Sequence, residues 1–260
     1  MSAVELALID LVIANRVLAR IGAVDAYGHV SVRHPTNKDH FLLSRSRSPE
    51  LVEQGDIMEF DLKGNVIGKD NRPPYLERFI HAAVYAARPD VGAVVHGHAR
   101  VLIPFTITSL VMRPVFMTAD EFGDRVPVWD IRDKFGDGTD MLIVNMEQGD
   151  DLARAFGDDA QVMLLRGHGF VGAGRSANHL IRVCRALLEN AAIQLESMRF
   201  GPLNELTPNE IKARRTALAD DDSPGLMRGF EYDATQAGLA DLLKRRAEIK
   251  AQIRNSGDGA

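Results

Sequence analysis

The sequence predicts a layered α/β or α+β core with a helical C-terminal extension. Three observations carry this. Strand-like and helix-like segments intersperse along residues 1–200. Apolar residues make up 45% of a 260-residue chain, enough for a sizeable core. Beyond Gly201 the chain turns charged and helical. Residues 1–200 are therefore expected to form the main domain, and residues 201–260 an extension packed on that domain or on a neighbouring subunit.

Residues 4–21 place Leu6, Ile9, Leu11, Ile13, Val17 and Leu18 as the apolar positions of an amphipathic helix. Gly28-His29-Val30-Ser31-Val32-Arg33 alternates as a strand does, and Phe41-Leu42-Leu43-Ser44 reads as a second strand. Residues 57–61 and Val66-Ile67, joined by Lys63-Gly64-Asn65, predict a hairpin. Residues 75–88 predict a helix ended by Pro89. Residues 91–98 predict a strand, and residues 99–109 have the composition of a helix. Met141-Leu142-Ile143-Val144 and residues 161–165 predict strands separated by a short helix, 148–156. Residues 178–200 predict a long helix. The remainder predicts helices broken at Asp220-Asp221-Asp222-Ser223-Pro224-Gly225, with 255–260 a disordered tail.

A net charge of −5 argues against a general nucleic-acid binder. No stretch reaches the roughly 18 apolar residues of a membrane span. The apolar N-terminal segment carries Glu5, Asp10 and Arg16 and lacks the marks of a signal peptide. One cysteine, Cys184, excludes an internal disulfide and reads as a core residue. The expectation is a cytoplasmic protein that binds neither nucleic acid nor membrane.

His96-Gly97-His98 closes the run Val91-Gly92-Ala93-Val94-Val95. Residues two apart on a strand point to one side, so both imidazoles can face one cation. The preceding residues predict a buried strand, and buried imidazoles need partners, which a metal supplies. His168, in Arg166-Gly167-His168-Gly169, is a third candidate ligand; the alternative is a turn histidine between flexible glycines. Three imidazoles with an open position are a catalytic rather than a sealed structural arrangement. Glu77 is a candidate fourth ligand or general base, or else a surface partner of Arg78 or Arg88. His81 shares its helical face and competes for the fourth position, though core packing suits it better. Three imidazoles and a carboxylate admit zinc, manganese, iron or cobalt, with affinity favouring zinc. Asp120 and Glu121 are candidates only for supporting such ligands.

Glu77, His96-x-His98 and the distant His168 resemble the class II aldolase/adducin family. The stretch from Tyr75-Leu76-Glu77-Arg78-Phe79-Ile80-His81 to His96-Gly97-His98 is the most specific part, with Gly28-His29-Val30-Ser31-Val32-Arg33 and Arg166-Gly167-His168-Gly169 in support. The resemblance runs from about residue 4 to 200. It implies a three-layer α/β/α sandwich on a mostly antiparallel sheet. It further implies homotetramers with active sites at subunit interfaces, and zinc or manganese as cofactor. In the aldolases, the glutamate matching Glu77 binds the metal and acts as acid and base. Adducin, the non-catalytic branch, lacks the metal histidines that this chain keeps; a silent interaction module is the reading from a different class.

Two departures bear on substrate. Sugar-phosphate aldolases of the family carry asparagine where this chain has His29, and a Ser-Ser pair where it has Tyr75-Leu76. The pattern with Phe122-Gly123-Asp124-Arg125-Val126-Pro127-Val128-Trp129-Asp130 looks closer to the branch that decarboxylates hydroxylated aromatic or pyridine carboxylates. The expected function is a metal-dependent lyase acting through a metal-stabilised enolate. The alternative enzyme is an aldolase for a non-phosphorylated substrate. Glu77 would move protons. An anionic substrate needs cationic or donor partners, for which His29, Arg33, Ser44, Arg45, Arg47 and Arg78 are candidates. Tyr232 is a candidate contact from a lid or a neighbouring subunit, or simply C-terminal packing.

Overall fold

A computed structural model describes residues 3–123, 126–217 and 220–256. Among them seven strands form one sheet: β1 (His29–Arg33), β2 (His40–Ser44), β3 (Ile57–Asp61), β4 (Ala93–Gly97), β5 (Val128–Trp129), β6 (Val162–Leu165) and β7 (Gly169–Gly174). Their order is β3-β2-β1-β4-β7-β6-β5, and every pairing is antiparallel except β5 with β6. Helices α1 (Ala3–Arg20) and α6 (Ala177–Ser197) cover one face of the sheet; α2 (Arg78–Ala87) and α5 (Met146–Phe156) cover the other, and the four-residue α4 (Arg132–Phe135) follows β5. This is the expected three-layer α/β/α sandwich on a mostly antiparallel sheet.

Strand alternation divides the central residues between two cores. Val30, Val32, Ala93 and Val95 pack with the α1 and α6 side chains. The intervening residues, His29, Ser31, Val94 and His96, therefore point towards α2. Burying the first set is conventional. Burying two histidines and a serine in the second set obliges the α2 side to supply polar partners.

The charged C-terminal segment forms α7 (Pro208–Ala217), α8 (Pro224–Gln236) and α9 (Ala240–Ser256). Phe230, Ala234, Leu239 and Ile249 enter the same core as Leu11 and Leu18 of α1. Arg246 also pairs with Asp10 at 2.6 Å, so charge and apolar burial fix these helices to the chain's own N-terminal helix. No described helix is long and apolar enough to cross a membrane.

Several sequence expectations need correction. Residues 99–109 are not one helix but a 3-10 turn, Arg100–Leu102, and the four-residue α3 (Pro104–Ile107), because Pro104 cannot continue the preceding turn. The helix expected from residue 75 starts at Arg78: the Tyr75 hydroxyl is instead tied to Ser44 and to the Arg47 carbonyl. Val66 makes only an isolated bridge to Phe60. Residues 141–144 are not a strand. Met141 stands at φ +67°, and the N–H groups of Leu142, Ile143 and Val144 go to the side chains of Asp140, Glu77 and Gln148. Conversely, β5 and β7 lie where the sequence predicts no strand. In the described part of the final segment, Asn255 and Ser256 belong to α9 rather than to a tail; 257–260, like Asp124 and Arg125, lie outside the described residues.

Glycine is required where β4 meets β7. A Cβ at Gly97 would lie 2.2 Å from the Ala23 carbonyl oxygen, and one at Gly169 would lie 2.2 Å from that of Gly97. Gly97→Ala should therefore displace the strand end that carries His96 and His98, lowering stability by about 1–3 kcal/mol. A urea midpoint indistinguishable from the parent would contradict this close packing.

Candidate metal centre

Four side chains from three separate places meet at one end of the sheet. Glu77 stands at the N-cap position of α2 without a side-chain capping bond, His96 is the penultimate residue of β4, His98 follows that strand, and His168 sits in the β6–β7 turn. One ligand atom from each lies within 4.8 Å of all the others. His98 Nε2 is 3.1 Å from His96 Nε2, and Glu77 Oε2 is 3.5 Å from His96 Nε2 and 3.8 Å from His168 Nε2. A four-coordinate ion with bonds of about 2.1 Å needs ligand atoms about 3.4 Å apart. The observed separations bracket that value.

The outer nitrogens show which way the rings are loaded. His96 Nδ1 lies 3.0 Å from the Phe170 carbonyl oxygen, which only accepts, so Nδ1 carries the hydrogen. His98 Nδ1 lies 2.9 Å from Asp25 Oδ1 and likewise donates. Burial opposes ionisation of Asp25, but His98 and the Tyr27 and Gly28 N–H groups outweigh it and hold its carboxyl below the usual range. In their neutral forms His96 and His98 then aim bare Nε2 lone pairs at each other across 3.1 Å. That arrangement is repulsive unless a cation lies between them, and it is how metal-binding histidines are oriented by their outer partners.

His168 is kept neutral by burial and by the neighbouring His96, with its pKa lowered to about 4, so its lone pair is available at neutral pH. The Met141 backbone, in its left-handed conformation, bonds the same ring. Burial of Glu77 favours the neutral acid, but His96, His168 and the Ile143 N–H prevail and hold the carboxyl at about 2. The donor set is three imidazole nitrogens and one carboxylate, and it fits a divalent cation.

Behind this cluster lies a buried polar chain. His29 Nδ1 is 2.6 Å from His81 Nε2, His81 Nδ1 is 2.6 Å from Ser31 Oγ, and Ser31 Oγ is 2.9 Å from the Tyr85 hydroxyl. His81 is thus outside the four-residue cluster and packs beneath His29. Burial lowers its pKa from 6.5 to about 3. Between those values the unfolded chain binds a proton that the folded chain refuses. Stability is therefore complete above pH 6.5 and falls as pH drops towards 3, by several kcal/mol in all. Urea midpoints measured from pH 7.5 to 4 should decline steadily; a flat profile would contradict a neutral His81.

The other candidates stand as follows. His29 is buried, 5.2 Å from His96 between ring centroids and 4.6 Å from Tyr75. Ser44 is buried beneath Tyr75, to which it bonds at 3.2 Å. Arg45 and Arg47 pair with Asp56, and Arg33 is committed to backbone carbonyls of Lys38, Tyr85, Arg88 and Val91. Arg78 donates to the carbonyls of Gly64 and Tyr75 and lies over Phe79. Asp120 and Glu121 pair with Arg214 and Arg182 rather than with the cluster histidines. Tyr232 is exposed on α8, on the opposite side of the sheet from Glu77. Cys184 is buried in the core, and burial pushes its thiol well up. Sequence reasoning missed Asp25, the Phe170 carbonyl and the Ile143 N–H, because a carboxylate 73 positions from its histidine, or a main-chain group, leaves no spacing signal.

Comparison with known proteins agrees with this geometry. Residues 9–195 match the profile described as Class II Aldolase and Adducin N-terminal domain. The chain is 36% identical over 193 residues to "Decarboxylase tropJ" of Talaromyces stipitatus, covering 70% of this chain and 73% of that protein. It is 31% identical over 219 residues to 3,4-dihydroxyphthalate decarboxylase of Arthrobacter keyseri, covering 77% and 83% respectively. In fold it resembles an aldolase II superfamily protein from Pseudomonas syringae, with a TM-score of 0.75, 24% identity, and coverage of 93% of this chain and 96% of that one.

Proposed function

Because the chain belongs to the class II aldolase and adducin family, we propose that it is a divalent-metal-dependent carbon–carbon lyase that decarboxylates a hydroxylated aromatic or related hydroxy carboxylic acid. The observation that carries this is the convergence of Glu77, His96, His98 and His168 within 4.8 Å, with the outer nitrogens of His96 and His98 already engaged. The two relatives named as decarboxylases favour carbon dioxide over an aldehyde as the leaving group.

In this reading those four side chains hold the ion, zinc or manganese, at their inward atoms. When bound, it supplies Lewis-acid stabilisation of negative charge on substrate oxygens. The chain's own residues do the rest. Glu77 would carry protons to and from the substrate carbon at Oε2 when that oxygen is not held as a ligand, while Oε1 stays tied to Ile143. His29, beside His96, offers its free ring edge to a substrate oxygen. Tyr75, seated on Ser44, forms an aromatic wall suited to a ring. Arg45 and Arg78 act on substrate only through the loops they anchor. A homotetramer would let the exposed Tyr232 reach a neighbouring copy's site.

The test is direct. Purified protein should carry about one divalent ion per chain and release carbon dioxide from hydroxylated aromatic acids. Aldehyde release instead would make it an aldolase for a non-phosphorylated substrate. Absence of bound metal and of turnover would make it an adducin-like interaction module.

A further inference from the structure

The polar chain beneath the site has a direction. Tyr85 is fully buried, and Ser31 Oγ is the acceptor its hydroxyl meets among the described residues. A buried hydroxyl hydrogen left without an acceptor is costly, so Tyr85 donates to Ser31. Ser31 Oγ then has its own hydrogen to place, and its remaining partner is His81 Nδ1 at 2.6 Å. A neutral imidazole accepting at Nδ1 carries its hydrogen on Nε2. His81 Nε2 therefore donates across 2.6 Å to His29 Nδ1. By the same rule His29 carries its hydrogen on Nε2, for which no partner is found among the described residues. His29 faces His96 in strand register, its ring 5.2 Å from that metal-ligand candidate.

We infer that Tyr85, Ser31 and His81 form a one-way hydrogen-bond chain that fixes His29 as a neutral Nε2–H donor, reserved for an oxygen of the substrate. The chain begins at a buried phenol whose ionisation burial strongly disfavours, so it sets a tautomer instead of conducting a proton. Tyr85, Ser31 and His81 are positioning residues; His29 alone touches substrate. A donor with no charge can bind a carboxylate or developing enolate oxygen without competing for the cation. It cannot serve as a general base, because Nε2 is already protonated and Nδ1 is occupied. This role for His29 rests on the cluster being the active site; the direction of the chain does not.

Two measurements test the two parts separately. Ring-15N-labelled histidine in the zinc-loaded protein, with eight histidines to assign, reports the tautomer by long-range 1H–15N correlation; His29→Gln and His81→Gln identify the signals. Both rings should appear as Nε2–H, and the proton shared between them should show its one-bond coupling to His81 Nε2. A shared proton bonded to His29 Nδ1 would overturn the inference. This measurement needs no substrate, so it stands or falls apart from the lyase reading. In turnover, His29→Gln keeps an N–H donor and should stay within about tenfold of the parent in kcat/KM, whereas His29→Met should fall about 100-fold. A glutamine variant as impaired as the methionine one would mean that His29 moves a proton, and would overturn its assignment as a donor.

Discussion

Alanine at His96 is expected to strip the protein of its metal and to lower turnover by at least ~10³-fold. No other residue of the cluster is as central. His96 is fully buried, its Nδ1 is fixed to the Phe170 carbonyl, and its Nε2 lies 3.1 Å from His98 Nε2 and 3.5 Å from Glu77 Oε2. The ring also flanks His29 and His168. Removing it takes away one ligand and the surface against which the others are set. The fold should survive, since a cavity of this size costs about 2–4 kcal/mol, less than a typical domain's stability, and the loss of opposed lone pairs offsets part of it. Metal analysis, far-UV circular dichroism and turnover on the same preparation separate these effects. A folded His96→Ala protein that retains an ion and full activity would remove His96 from the site.

The sequence exposes the elements and residues that obey simple periodicity. The helices α1, α5 and α6 follow from apolar spacing because each buries one face, whereas β1, β2 and β4 are legible as short alternating or apolar runs that the sheet buries on both sides. His96 and His98 are legible because strand geometry links positions two apart. Two kinds of feature are not. β7 contains three glycines in six residues, and a β-propensity reading passes over it. Those glycines are there because β4 and α6 approach too closely for side chains. Residues 141–144 fail in the opposite direction. Their apolar run imitates a strand, but three successive N–H groups go to side chains and Met141 turns left-handed. The segment serves the site by holding Glu77 through Ile143 and His168 through Met141. His81 reads as a core residue, which its burial bears out. Its place between His29 and Ser31 depends on a helix-to-strand contact over about fifty positions that no local pattern encodes.

Glutamine at Glu77 should separate the chemistry from the scaffold. The amide oxygen can go on accepting from the Ile143 N–H, so the loop before α5 should keep its form. At the other end the carboxylate oxygen becomes an NH₂ group, facing His96 Nε2 and His168 Nε2. It can donate to those lone pairs directly and so occupy with hydrogen bonds the space that suits a cation. The negative charge is lost as well, and in the parent that charge is present throughout the neutral range because the carboxyl is held at about 2. Metal affinity should fall by more than the roughly 10–100-fold cost of losing an outer partner. Turnover should fall by about 10²–10⁴-fold even at saturating metal, because a carboxamide in place of the carboxylate cannot move a proton. Stability should fall as well. In the parent, the contribution from Glu77 is complete above pH 4.5 and is lost as pH falls towards 2, whereas the variant has no such dependence. The metal-free variant should therefore have a lower urea midpoint than the metal-free parent at pH 7, and that gap should close only as pH falls from 4.5 towards 2. Unchanged turnover with zinc in excess would reduce Glu77 to an anchor for the Ile143 loop and take the proposed acid–base role with it.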